Sequence, residues 1–206
     1  LAYNASVDLA ANGRTTPLFI AAQNGHVEVV KLLLARKASV DLARNNSTTP
    51  LFIAAQNGHV EVAKLLLARK ASVDLAGNDG ATPLFVAAQN GHFDVSKVLL
   101  ANKASVDLAR NDGATPLYMA AQNGHVEVAQ LLLANKASVD IASVWGSALG
   151  LAAHRGNLKL AKLLVDGKAD VDFASCDRLN PVLFAAAEGH RKVLKFLLPL
   201  STMTEA

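Results

Sequence analysis

Cysteine is almost missing from this sequence. Of 206 residues only Cys176 carries a thiol, which excludes an intramolecular disulfide and a cysteine-based zinc site and suits a reducing, intracellular setting, cytoplasmic or nuclear. Long apolar runs are missing too. The chain is 51% hydrophobic, but Lys, Glu, Gln or Asn interrupts every few positions, so no stretch reaches the roughly 20 apolar residues of a membrane span. Charge of one sign is never concentrated. The 20 Lys+Arg and 17 Asp+Glu leave a net charge of +3 spread along the chain, which speaks against a nucleic-acid partner. The phosphate-cradling Gly-x-x-x-x-Gly-Lys-Ser/Thr, the Gly-x-Ser-x-Gly elbow and the His-Glu-x-x-His zinc helix are all absent. The reading is therefore of a chain that is not an enzyme, with no catalytic, cofactor or metal residues and no small-molecule substrate.

What the sequence does hold is a period. The string Thr-Pro-Leu-Phe/Tyr-x-Ala-Ala-Gln-Asn-Gly-His begins at Thr16, Thr49, Thr82 and Thr115, a constant spacing of 33. Two eroded copies follow, from Ser147 to Gly156 and from Asn180 to His190, the first after a linker one residue shorter. Upstream, Asn4-Ala5-Ser6-Val7-Asp8 repeats the Lys-Ala-Ser-Val-Asp that closes later units. Residues 1–15 thus read as the remnant of a preceding repeat and its turn, and the expectation is a longer natural array. Helix-pair units are expected at about 16–37, 49–70, 82–103, 115–136, 147–168 and 180–200, with a tail at 201–206, all within one repeat domain spanning 1–206.

Each unit predicts two helices. Thr is a natural N-cap, Pro is tolerated at the first helical position, and Ala-Ala propagates a short helix until Gly25, Gly58, Gly91 or Gly124 stops it. A second helix starts near the following His, with an acid in its first turn (Glu28, Glu61, Asp94, Glu127) where the helix dipole favours an anion. The closing Ala-Ser-Val-Asp and the polar stretch after it predict an extended segment and a turn. Two short helices cannot offset their own conformational entropy, so neighbouring pairs must stack, and the unequal helix lengths would curve the stack with the short helices on a concave face.

A 33-residue unit with Thr-Pro-Leu, Ala-Ala, Gly-His, a Leu-Leu second helix and a closing Val-Asp resembles the ankyrin repeat over essentially the whole chain. The resemblance implies an all-α solenoid of helix-turn-helix repeats joined by hairpin-like turns. It also implies a non-catalytic adaptor that binds a protein through its concave face and turn tips. Two departures stand out. Phe19, Phe52, Phe85 and Tyr118 hold the place of the family's His after Thr-Pro-Leu, so aromatic packing replaces a loop hydrogen bond. Lys37, Lys70, Lys103 and Lys136 replace the glycine after the second helix, so that turn is either strained or differently shaped.

The recurring His26, His59, His92, His125 and His190 read as structural hydrogen-bonding groups at the helix junction. Equivalent atoms on stacked helices lie about 8–10 Å apart, too far to share a metal ion. The Gln-Asn pair recurring from Gln23 to Gln122 reflects either recent duplication or an extended, repetitive partner. The fifth and sixth units are individual: Gln-Asn becomes His154-Arg155 and then Ala187-Glu188, and the turns acquire Val144-Trp145 and Cys176-Asp177-Arg178. Trp145, His154, Arg155, Asp177 and Arg178 are the leading candidates for partner contact, since Trp and Arg combine area with directional donors. Gln122, Asn123, Arg110 and Asp112, on the adjoining inner helix and turn, complete the set. The charged last helix (Arg191, Lys192, Lys195) reads as an end cap, whereas the uncapped first pair is open to end-to-end self-stacking. Three alternatives stand beside this reading: a targeting module of a larger enzyme, a weakly basic binder of nucleic acid or anionic lipid, and an engineered repeat protein.

Overall fold

The computed structural model describes residues 6–143, 146–174 and 179–202. Among these the regular structure is helical, with two isolated antiparallel bridges, Ala11 with Thr15 and Ser143 with Gly146. The helices fall into two compact units, Leu1–Ser105 and Val106–Ala206. The first holds α1 (Pro17–Gln23), α2 (Val27–Ala35), α3 (Pro50–Gln56), α4 (Val60–Ala68), α5 (Pro83–Gln89) and α6 (Phe93–Ala101). The second holds α7 (Pro116–Gln122), α8 (Val126–Ala134), α9 (Ala148–His154), α10 (Leu158–Asp166), α11 (Pro181–Ala187) and α12 (Arg191–Leu197). Within each unit first helices pack on first helices (α1 on α3, α3 on α5; α7 on α9, α9 on α11) and second helices on second helices.

The first helices begin where cap chemistry dictates. The side chains of Thr16, Thr49, Thr82 and Thr115 accept from the backbone N–H three residues on, at 3.1–3.2 Å. The eroded copies keep that bond with different residues, Ser147 to Gly150 N–H (3.2 Å) and Asn180 to Leu183 N–H (2.9 Å). Erosion has therefore spared the cap, which satisfies an otherwise orphaned and buried donor.

The first five second helices end on a left-handed lysine: Lys37, Lys70, Lys103, Lys136 and Lys168 have φ between 62 and 72°, whereas α12 passes into Leu198 with φ −53°. The next residue's N–H reaches back five positions, Ala38 to the Leu33 carbonyl at 3.0 Å and Ala71 to Leu66 at 3.1 Å. This is the family's glycine turn with its geometry retained, so of the two readings the strained one holds, at about 1–2 kcal/mol per turn. In the fifth unit a glycine is at hand, but Gly167 sits one place early with φ −75° and Lys168 still takes the left-handed position.

The closing Val-Asp differs from expectation. It is a turn, not an extended segment, and its aspartate stitches repeats together. Asp8, Asp41, Asp74 and Asp107 each accept from the backbone N–H and hydroxyl of the serine closing the next repeat, Ser39, Ser72, Ser105 and Ser138. Asp140 meets Asp170 instead and receives only its N–H, at 3.1 Å.

Candidate partner-binding surface

Two sets of side chains face outward from each repeat near its neighbours: the C-terminal ends of the first helices and the hairpin fingers between repeats. At the helix ends the junction histidines do hydrogen-bond, but across repeats. His59 Nε2 donates to the Gln23 carbonyl and His92 Nε2 to Gln56, both at 3.0 Å, and His190 Nε2 to His154 at 2.9 Å. A carbonyl can only accept, so the proton sits on Nε2 in each case. The amides of Asn57 and Asn90 donate to the same Gln23 and Gln56 carbonyls, at 2.8 and 3.1 Å. The uniform Gln-Asn thus has a third explanation beside duplication and a repetitive partner. Its asparagine satisfies a helix-end carbonyl of the preceding repeat, which the fold itself demands.

The individual repeats break this arrangement. Asn157 stands in the histidine's place and accepts from Leu160 N–H of its own helix at 3.0 Å. Glu188 stands in the asparagine's place and cannot donate; its carboxylate lies 3.6 Å from His154 Nε2, with both side chains about half exposed. The His154 ring also meets Phe184 edge-on, centroids 5.8 Å apart. Arg155 is exposed at the end of α9. Gln122 and Asn123 end the neighbouring α7, Gln122 half-buried and the Asn123 amide donating to the Met119 carbonyl at 3.2 Å. Arg110 and Asp112 lie in the finger before α7, paired to each other through Arg110 Nε and Asp112 Oδ1 (3.0 Å) and through Nη2 and Oδ2. Of the sequence candidates, then, Gln122, Asn123, His154 and Arg155 share the ends of two adjacent helices, and Arg110 with Asp112 forms a separate pair. Trp145, Asp177 and Arg178 lie outside the described residues.

The fingers share one hairpin over residues 11–15, 44–48, 77–81 and 110–114, closed by first-to-fifth bonds such as Arg44 N–H to the Thr48 carbonyl at 3.0 Å. Within the first unit adjacent fingers are linked by Asn45 N–H to the Gly13 carbonyl and Asn78 N–H to Asn46, both 3.1 Å. The aromatic residues replacing the family's histidine lie beneath. Phe19 is buried with the Arg44 guanidinium 5.1 Å from its ring centroid, and Tyr118 hydrogen-bonds Ser143 of the next finger, while burial raises its hydroxyl pKa. Sequence reasoning left Arg44 and Glu188 out of the contact candidates. Both were visible as departures at fixed places of the repeat.

The first repeat presents an apolar outer face. Val29 is 45% exposed where its counterparts Val62 and Val95 are 0%, and with Leu9, Ile20 and His26 it lines a groove of about 440 Å³.

Among the described residues three carboxyls are held below their ordinary range: Asp112 by Arg110, Glu127 by the Lys159 ammonium, and Asp172 by bonds from the Ser201 and Thr202 hydroxyls and the Thr202 N–H. A depressed carboxyl stabilises the fold above its ordinary pKa of about 4 and stops doing so as pH falls through the lowered value. Residues 201–202 are accordingly expected to detach from Asp172 only below that range. Hydrogen exchange at Thr202 followed against a ¹³C carboxyl titration of Asp172 checks this, and an Asp172 titrating at or above the ordinary value would contradict it.

The family model described as ankyrin repeats, in three copies, matches residues 1–77, 70–143 and 138–204. No curated protein sequence matches the chain.

Proposed function

This chain belongs to the ankyrin repeat family, and from that premise we propose that it is a non-catalytic module binding another protein through its first-helix ends and finger tips. Ankyrin repeats are generally protein–protein interaction modules. The observation carrying the reading is the change at α9. Where the exposed Asn57 and Asn90 are engaged in stitching repeats, Arg155, equally exposed in the same place, has no part in the stitch. What differs between units of a repeat stack is not required by the shared fold, and an exposed arginine beside an edge-packed histidine suits a contact surface. An intracellular setting belongs to the same proposal, supported by the single cysteine.

A photo-crosslinking residue placed at Arg155 is expected to form adducts with a discrete protein, and one at the exposed Gln130 on the back of α8 is not. Equal adducts at both, or none at Arg155, would remove this surface from consideration.

A further inference from the structure

Arg44 opens the second finger and is the one residue whose buried side-chain nitrogen, Nε, has no hydrogen-bond partner among the described residues. An unsatisfied buried donor is rare enough to need a reason. The guanidinium is not loose: it stacks at 5.1 Å over the buried Phe19 ring, which fixes its plane. Over its Nη2 stands Gly13 of the first finger. Even an added Cβ there would lie 3.8 Å away, so the first finger leaves room beside Nη2.

The fourth finger shows what such an arginine takes. Arg110 opens it in the same register, and the residue two places on, Asp112, closes on it with both carboxylate oxygens. In the second finger that place belongs to Asn46, a neutral amide whose Oδ1 is turned to the Thr48 hydroxyl (2.6 Å) and N–H (3.3 Å). The third finger has the acid without the arginine, Asp79 after Gly77. Neighbouring aspartates are committed elsewhere, Asp8 to Ser39 and Asp41 to Ser72. Arg14 of the adjoining finger adds charge of the same sign.

We propose that Arg44 is a receptor for a carboxylate side chain of a protein partner, the partner supplying at the second finger what Asp112 supplies at the fourth. The inference rests on the protein-binding reading above and deepens it. A planar guanidinium recognises a carboxylate by two parallel bonds, so specificity comes from geometry as well as charge.

The test uses the full chain labelled at arginine Nε, titrated with an acetylated, amidated Gly-Glu-Gly-Glu-Gly peptide, its glutamine counterpart and its phosphoserine counterpart. The glutamate peptide is expected to shift the Arg44 Nε–H resonance saturably, and the glutamine peptide to leave it unmoved. Asn46→Asp installs the fourth finger's internal carboxylate, a residue two fingers already carry there, and is expected to weaken binding about tenfold, as losing one charge-assisted contact does. An unmoved Arg44, shifts insensitive to Asn46→Asp, equal shifts at Arg14, or tighter binding of the phosphoserine peptide would each overturn the carboxylate assignment. Crosslinking at Arg155 reads the protein-binding function separately, so a silent Arg44 with adducts at Arg155 would sink this inference and leave that function standing.

Discussion

Gly58→Ala is expected to cost about 2–4 kcal/mol of unfolding free energy, from left-handed strain, a steric clash and a weakened hydrogen bond together. Gly58 has φ +78°, and a Cβ there would stand 2.7 Å from Nδ1 and 2.8 Å from Cε1 of His92. The imidazole cannot simply step aside, because its Nε2 holds the Gln56 carbonyl at 3.0 Å. The chain supplies its own control. Gly189 has φ +70° with nothing within 4 Å, and at Gly124 the nearest atom is 3.7 Å away. Alanine at either should show the left-handed strain alone, about 1–2 kcal/mol. Urea unfolding of the three variants, with His92→Ala added to Gly58→Ala, separates the contributions. If Gly58→Ala cost no more than Gly189→Ala, or if His92→Ala relieved none of the difference, the clash would not be real.

Leu66→Ala should be as damaging or more, about 2–5 kcal/mol, the range for emptying a fully buried leucine site. Leu66 lies in α4, the middle second helix of the first unit, and is completely buried. Its helices pack on those of both the first repeat and the third. A stack whose repeats touch only their neighbours loses cooperativity when one link weakens, so hydrogen exchange should find the first unit opening in parts rather than at once. Leu32→Ala, at a leucine more than half exposed on α2, is the comparison and should change stability by roughly 0.5 kcal/mol or less. Equal losses at the two positions would mean that burial does not organise this stack.

Much of this architecture is legible in the sequence. Thr82 before Pro83 announces a helix start and Gly91 its end, because caps and breakers act within a few residues of themselves. The family followed from repetition of such local signals at a fixed spacing. The lysine turns mark the boundary of that kind of reasoning. Lys70 signals a departure, yet nothing local decides between a strained turn and a new one. The Schellman bonds closed by Ala71 do.

The candidate surface was legible only in part. His154 and Arg155 could be chosen because they differ from Gln and Asn at the same places. The reason the ordinary pair recurs could not be chosen, since Asn57 and His59 serve a carbonyl more than thirty residues earlier. The same holds for the aspartates: Asp41 reads as a repeat signature, and its engagement with Ser72 is a contact between repeats.

The sequence by itself therefore determined the helix pairs, their order and their family, all of which rest on chemistry confined to one 33-residue unit. Only the tertiary structure decided which polar groups are already engaged and which remain available. Hydrogen bonds between repeats depend on how neighbouring units stack, and stacking brings together side chains far apart in the chain. That is why Asp41 proved to be occupied by Ser72 of the next repeat, and why Arg44, visible in the sequence only as a departure, emerged stacked on Phe19 with an unpartnered nitrogen.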